Sequence, residues 1–250
     1  MSSQGGPVGA TVLGLTGWQQ YALLSGGMQI VQEGISPDAA LSIFGVTGLT
    51  AYFGLLDVGD PRAGDTVLIS GAAGAKGSTV GQIAKIKGCR VVGLAGSTEK
   101  CAWLTNDLGF DAAINYKTEN VRHAIRETCP EGVDVFFDNV GGDILQVAIS
   151  NLALGGRVVL CGAIAQYNDD APRPGPNNLQ MLIARRSRME GFVVIDYMDR
   201  AAEAMTDLGR WVSEGKMTYR TDVVDGLDNA PEALNRLFTG ANMGKVMVRL

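Results

Sequence analysis

The run Gly71-Ala72-Ala73-Gly74-Ala75-Lys76-Gly77-Ser78 carries the most legible chemistry in this sequence. It follows the short apolar stretch Thr66-Val67-Leu68-Ile69-Ser70 and opens a helical stretch through Gln82, Ile83 and Ile86 to Gly88. Small residues in a strand-to-helix turn let the backbone approach a pyrophosphate, whose charge the helix N-terminus then holds. Ala73 stands where G-x-G-x-x-G has its middle glycine. Alone, the run would be a plain glycine turn. A strand before it, a helix after it and further strand–helix units behind it make it a nucleotide site. Lys76 is either a cation near the phosphates or a solvated side chain.

The tip of the next strand separates the two nicotinamide dinucleotides. NAD sites place an Asp or Glu there, about 20 residues past the glycines, to bond the ribose 2′-hydroxyl. Here Arg90-Val91-Val92-Gly93-Leu94 runs into Ala95-Gly96-Ser97-Thr98-Glu99-Lys100, with no acid at the tip. A 2′-phosphate would be repelled by a carboxylate there and welcomed by a hydroxyl, backbone N–H groups and Lys100. Glu99 falls inside the first helical turn, where an acid also serves the helix dipole. The expected cofactor is NADP, not NAD.

Other chemistries find little support. The chain has one histidine, His123, on a charged helical face, and four cysteines, Cys89, Cys101, Cys129 and Cys161, none in a C-x-x-C pair. No metal-ligand spacing is present, so no metal is expected and the thiols should be reduced. A net charge of −5 without a basic block argues against nucleic acid. No apolar run reaches the roughly 18 residues of a membrane span. Met1-Ser2-Ser3-Gln4-Gly5-Gly6 lacks the basic and apolar regions of a signal peptide, and a cytosolic location is expected.

These residues need elements to place them. Short apolar strands alternate with helices: 66–70, 90–94, 112–114, 133–137, 157–160 and 191–195 as strands, with helices near 97–108, 119–128, 142–152 and 178–186. Continuous apolar strands separated by helices imply a parallel sheet covered on both faces, and so an α/β doubly wound Rossmann fold. The flanks read as remnants of a second, smaller β-rich domain. Residues 11–50 are glycine-rich and look helical only around 36–57, while a strand near 219–224, a helix near 231–238 and a strand at 245–249 end the chain. The division is 46–221 for the nucleotide-binding domain and 1–45 with 222–250 for the remnant.

Several motifs occur in a telling order: Ser70–Ala75, Val80–Lys85, Phe137-Asp138-Asn139-Val140-Gly141-Gly142, Cys161-Gly162-Ala163-Ile164 with Gln166-Tyr167-Asn168, and Asn242-Met243-Gly244-Lys245. With Gly48–Leu56, they make the chain similar to the zinc-independent alkenal/prostaglandin reductase branch (leukotriene B4 12-hydroxydehydrogenase-like) of the medium-chain dehydrogenase/reductase superfamily. The resemblance implies that Gly74–Gly77 meet the phosphates, with Lys76 where valine is more usual. It puts Gly96, Lys100 and Tyr116 around the 2′-phosphate. Asn139 and Asn242 would stand near the nicotinamide half, which Cys161, Gly162, Tyr167 and Phe192-Val193-Val194 would line. Tyr167 is the implied catalytic residue.

Two departures accompany the resemblance. Members carry a long amino-terminal barrel (GroES-like) domain, most of which precedes the point where this chain starts, and a tyrosine found in some members before Arg-Met-Glu is here Ala184. The implied activity is reduction of the C=C bond of α,β-unsaturated aldehydes or ketones, with hydride from NADPH going to the electrophilic β-carbon. Quinone reduction, or an NADPH-binding paralogue without turnover, remain alternatives. Because residues 191–195 are apolar without alternation, they should form a buried edge strand that pairs two copies into a homodimer. Around Ile43, Phe44 and Phe53, apolar surface is expected to be uncovered.

Overall fold

The computed structural model describes residues 8–23, 27–171 and 173–250. The amino-terminal Met1–Gly6 stretch, and the parts of the 1–45 segment at 1–7 and 24–26, lie outside the described residues. Two short strands, β1 (Val12–Leu13) and β2 (Gln29–Ile30), pair antiparallel. Helix α1 (Pro37–Leu41) starts where the Ser36 hydroxyl accepts the Ala39 N–H, with Pro37 in the first turn, as the chemistry of helix starts favours. Helix α2 (Val46–Phe53) continues into a π-helical turn, Gly54–Gly59.

The main sheet then builds in strict alternation. Its elements are β3 (Thr66–Ile69), α3 (Ala75–Ile86), β4 (Arg90–Ala95), α4 (Thr98–Asn106), β5 (Ala112–Asn115), α5 (Val121–Thr128), β6 (Val133–Asp138), α6 (Gly142–Ser150), β7 (Leu152–Leu160), α7 (Gln180–Arg185) and β8 (Arg188–Gly191). Helix α8 (Ala201–Ser213), strand β9 (Thr221–Asp225), helix α9 (Ala230–Thr239) and strand β10 (Lys245–Arg249) follow. The six strands are parallel in the order β5-β4-β3-β6-β7-β8, so the order reverses between β3 and β6. Strands β9 and β10 form a separate parallel pair.

Successive strand residues face opposite layers. Val67, Ile69, Val135 and Phe137 pack with Phe53, Val80, Ile83, Leu208 and Trp211, while Leu68 and Phe136 pack with Ile125, Leu145 and Ile149. Burial on both faces explains the unbroken apolar runs. The α/β doubly wound expectation therefore holds, and the first five strands fall where the sequence places them to within a few residues.

Two expectations need correction, and one element is added. The sixth strand is Arg188–Gly191, not 191–195. Its register against β7 pairs Leu160 with Gly191, so it ends level with its only partner. Phe192 then turns inward, its ring 6.5 Å from that of Phe137, while Val193 and Ile195 are 56% and 73% exposed. Ile43 and Phe53 are not uncovered; both are buried in the same core as the sheet. Finally, α8 was not read from the sequence, although Ala204, Leu208 and Trp211 lie on one helical face and are buried.

Candidate active site

A cavity of about 500 Å³ opens at the carboxyl ends of the strands, where the strand order reverses. Ligands of open α/β sheets bind at such a switch point. Gly74, Ala75, Lys76, Gly77, Gly96, Lys100, Tyr116, Asn139, Gly162, Tyr167 and Asn242 all line it. Cys161 and Phe192–Val194 do not. Phe192 packs inward on Phe137 and Tyr197, Val194 is buried and Val193 faces out, because β8 ends before them.

The floor is the turn between β3 and α3. Gly71 has φ +59° and its carbonyl accepts the Gly74 N–H at 3.0 Å, closing the turn. Helix α3 begins at Gly74 without a side-chain cap, so the N–H groups of its first turn remain free for an anion. Gly77 permits this closeness: a Cβ there would stand 2.4 Å from the Gly71 carbonyl oxygen. The carboxyl-terminal segment supplies the opposite wall. The Gly244 N–H donates to the Ala73 carbonyl at 2.8 Å, and Leu237, Phe238, Gly240 and Lys245 line the cavity.

At the end formed by β4 and β5, a Cβ on Gly96 would stand 2.7 Å from Tyr116 Oη, so only glycine lets that ring close over the strand tip. Lys100 is buried and its Nζ donates to the Gly240 carbonyl at 2.6 Å. Burial, then the charge of Lys117, holds the Lys100 ammonium below the usual lysine range. An adjoining cleft of about 440 Å³ brings Lys117 and Arg220 to the same place. The sequence reading missed both. Lys117 adjoins Tyr116 and could have been found; Arg220 is distant in sequence and carried no local signal.

The other end is built from β6 and β7. Asp138, fully buried, accepts from the Ser70 hydroxyl at 2.7 Å and from the Val140 and Gly141 N–H groups at 3.0 Å each. Burial raises this carboxyl despite those donors. Ser70 Oγ in turn accepts the Asn139 N–H, and Asn139 Nδ2 donates to the Ser70 carbonyl, each at 2.8 Å. Asn139 is thereby fixed, with its buried Oδ1 left without a partner. Such an orphan acceptor at a cavity wall is the mark of a missing donor. Tyr167 Oη accepts the Ala163 N–H at 3.1 Å, which leaves its own proton free to be donated. Asn242 is buried and braces the wall through Nδ2 to the Gly244 carbonyl at 3.0 Å.

Lys76 does not point simply into solvent. It is half-buried and its Nζ donates to Cys161 Sγ at 3.5 Å. Burial raises the Cys161 thiol and Lys76 pulls it partly back. Lys245, also missed, has its ammonium lowered by burial and then by Lys76. The lining thus includes Lys76, Lys100 and Lys245, and among the described residues no carboxylate lines it, while Glu99 and Asp222 line the adjoining cleft beside Lys100. Among the described residues, no group of three or more His, Cys, Asp or Glu is placed to hold a metal ion, and no helix is long and apolar enough to cross a membrane.

Known proteins resemble the chain in sequence and fold. A family model described as zinc-binding dehydrogenase matches residues 76–213. The chain is 45% identical to prostaglandin reductase 1 of Bos taurus, over 97% of this chain and 76% of that protein. It is 40% identical to the NADPH-dependent curcumin reductase of Escherichia coli (strain K12), over 97% of this chain and 72% of that one. The crystal structure of CurA from Vibrio vulnificus in complex with NADPH superposes with a TM-score of 0.90 at 42% identity, covering 95% of this chain and 73% of that one. Identity of this extent, on a shared fold, makes the chain a member of the medium-chain dehydrogenase/reductase family, in the branch of the prostaglandin and curcumin reductases.

Proposed function

We propose that this oxidoreductase uses NADPH to reduce the C=C bond of α,β-unsaturated aldehydes and ketones. The observation that carries the reading is the cavity itself: an uncapped helix N-terminus and three lysines without a carboxylate, ending at a tyrosine hydroxyl free to donate. NADPH fits these residues. The α3 N–H groups would hold the pyrophosphate, Lys100 and Tyr116 the 2′-phosphate, and Asn139 Oδ1 would accept from a hydroxyl or amide of the nicotinamide half. When bound, NADPH supplies the hydride.

The protein's own residues manage the charge that follows. Tyr167 donates to the substrate's carbonyl oxygen as enolate character develops, and the Ala163 N–H on Oη stabilises the negative charge the phenol acquires. The α-carbon proton comes from water, and the proton lent to the carbonyl oxygen returns to Tyr167 as the carbonyl re-forms. Similarity to proteins named curcumin reductase and prostaglandin reductase 1 supports enones over quinones for this chain.

The test is turnover of NADPH with a panel of enals, enones and quinones. Enone and enal turnover supports the reading; quinone-only turnover, or tight NADPH binding with no turnover, overturns it. Within that assay, Tyr167→Phe should lower enone turnover by about 100-fold, the lower end for a general acid, with NADPH affinity unchanged. Turnover equal to wild type would hand the proton to water or to the cofactor's ribose.

The reading extends to place and assembly. The cofactor domain is residues 46–221, with residues 237–246 of the flanking segment completing its cavity. Free cysteines suit the reducing cytosol. Among the described residues strand β8 pairs only with β7, and the exposed Ile183, Val193 and Ile195 lie beside it in the chain. An unpaired edge with apolar neighbours invites a second copy. The dimer edge is thus Arg188–Gly191, with 192–195 flanking it. Light scattering at low micromolar concentration should report twice the chain mass of 26.3 kDa, and a clean monomer would refute the dimer.

A further inference from the structure

We infer that Lys76 makes the site discriminate between the two redox states of its cofactor, its ammonium favouring the neutral reduced nicotinamide over the cationic oxidised one. The inference rests on the reading that the cavity holds NADP with its adenosine half at Lys100.

In a doubly wound fold the second-strand tip takes the adenosine ribose, and the helix N-terminus beside it takes the pyrophosphate. The nicotinamide half would therefore be held across the switch point, at the ends of β6 and β7. Lys76 reaches to that side. It leaves the first turn of α3 and ends at Cys161, 3.5 Å from Nζ to Sγ. Cys161 immediately precedes Gly162, which forms this end of the cavity together with Asn139 and Tyr167.

Nothing there neutralises the charge. Among the described residues no carboxylate pairs with Lys76, and none lines the cavity. Asp138, the acid whose charge reaches Cys161, spends its oxygens on Ser70, Val140 and Gly141. The other charge facing Lys76 is Lys245, also a cation. A positive charge at this end of the cavity would interact differently with the two cofactor forms, since the ring gains one positive charge on giving up hydride.

Attraction to the pyrophosphate cannot produce this difference, because both forms carry the same phosphates. A preference for NADPH keeps the site loaded with reduced cofactor and speeds release of the oxidised product. By the closure of the thermodynamic cycle, the bound couple becomes a correspondingly weaker hydride donor.

The experiment measures dissociation constants of NADPH and NADP⁺ for the full chain, for Lys76→Met and for Lys76→Arg, by calorimetry. The wild type should bind NADPH more tightly than NADP⁺. Lys76→Met, which keeps the stem and removes the charge, should shrink that ratio about ten-fold, and Lys76→Arg should retain it. Equal weakening of both forms in Lys76→Met would make Lys76 a phosphate clamp and overturn the inference, as would an unchanged ratio. A wild type that binds neither form would instead overturn the cofactor reading beneath it.

Discussion

Gly77→Ala is expected to cripple cofactor binding while leaving the fold in place. A Cβ at this position would stand 2.4 Å from the Gly71 carbonyl oxygen, 2.7 Å from Ala72 Cα and 3.0 Å from the Ala72 carbonyl oxygen. All three are backbone atoms, so no side chain can rotate away. The turn or the helix start must move, and overpacking of this kind costs about 1–3 kcal/mol. Because the first-turn N–H groups of α3 are the anion site, the displacement falls on the ligand as well as on stability. NADPH affinity should drop by about 5- to 150-fold, the same energy expressed as binding. Gly209→Ala is the control. It lies within α8 with nothing within 4 Å of a built Cβ, so binding should be unchanged and the melting temperature equal or higher. Wild-type affinity in Gly77→Ala would show that the turn does not hold the phosphates.

Lys100→Ala should convert a site selective for NADPH into one that barely distinguishes it from NADH. Loss of a charge-assisted contact to the 2′-phosphate weakens NADPH by about 1–3 kcal/mol, or about 5- to 150-fold. The same substitution also frees the Gly240 carbonyl, which Lys100 Nζ holds at 2.6 Å, and so loosens the wall formed by residues 237–246. That second effect acts on both cofactors alike. The ratio of NADPH to NADH affinity therefore isolates the phosphate contact. Lys117 and Arg220, which reach the adjoining cleft, cap the loss and account for the small selectivity that remains. Equal affinities of the wild type for NADPH and NADH would remove the assignment altogether.

The alternation of buried strand and helix was legible because each strand of a covered parallel sheet is apolar on both faces. A run such as Thr66–Ile69 needs no partner to be recognised. The phosphate turn was legible for a related reason: its chemistry is local, with glycines, strand and helix start within a dozen residues. The acid-free tip at Gly96–Ser97 was readable from composition alone. Helix α8 is also encoded locally, since Ala204, Leu208 and Trp211 share a face at the 3.6-residue period.

Other features depend on chain brought from far away. Where β8 stops is set by its register against β7, which pairs Gly191 with Leu160, and the apolar residues beyond it are divided between core and solvent by that ending. Lys76 could be placed among the phosphate ligands by position, but its direction toward Cys161 arises only when β7 is laid beside β6. The wall of the cavity comes from residues more than 160 positions beyond the turn it covers, joined by the Gly244 N–H to the Ala73 carbonyl. Periodicity and turn chemistry act between near neighbours along the chain. The electrostatic character of this site is a sum over lysines that become neighbours only on folding.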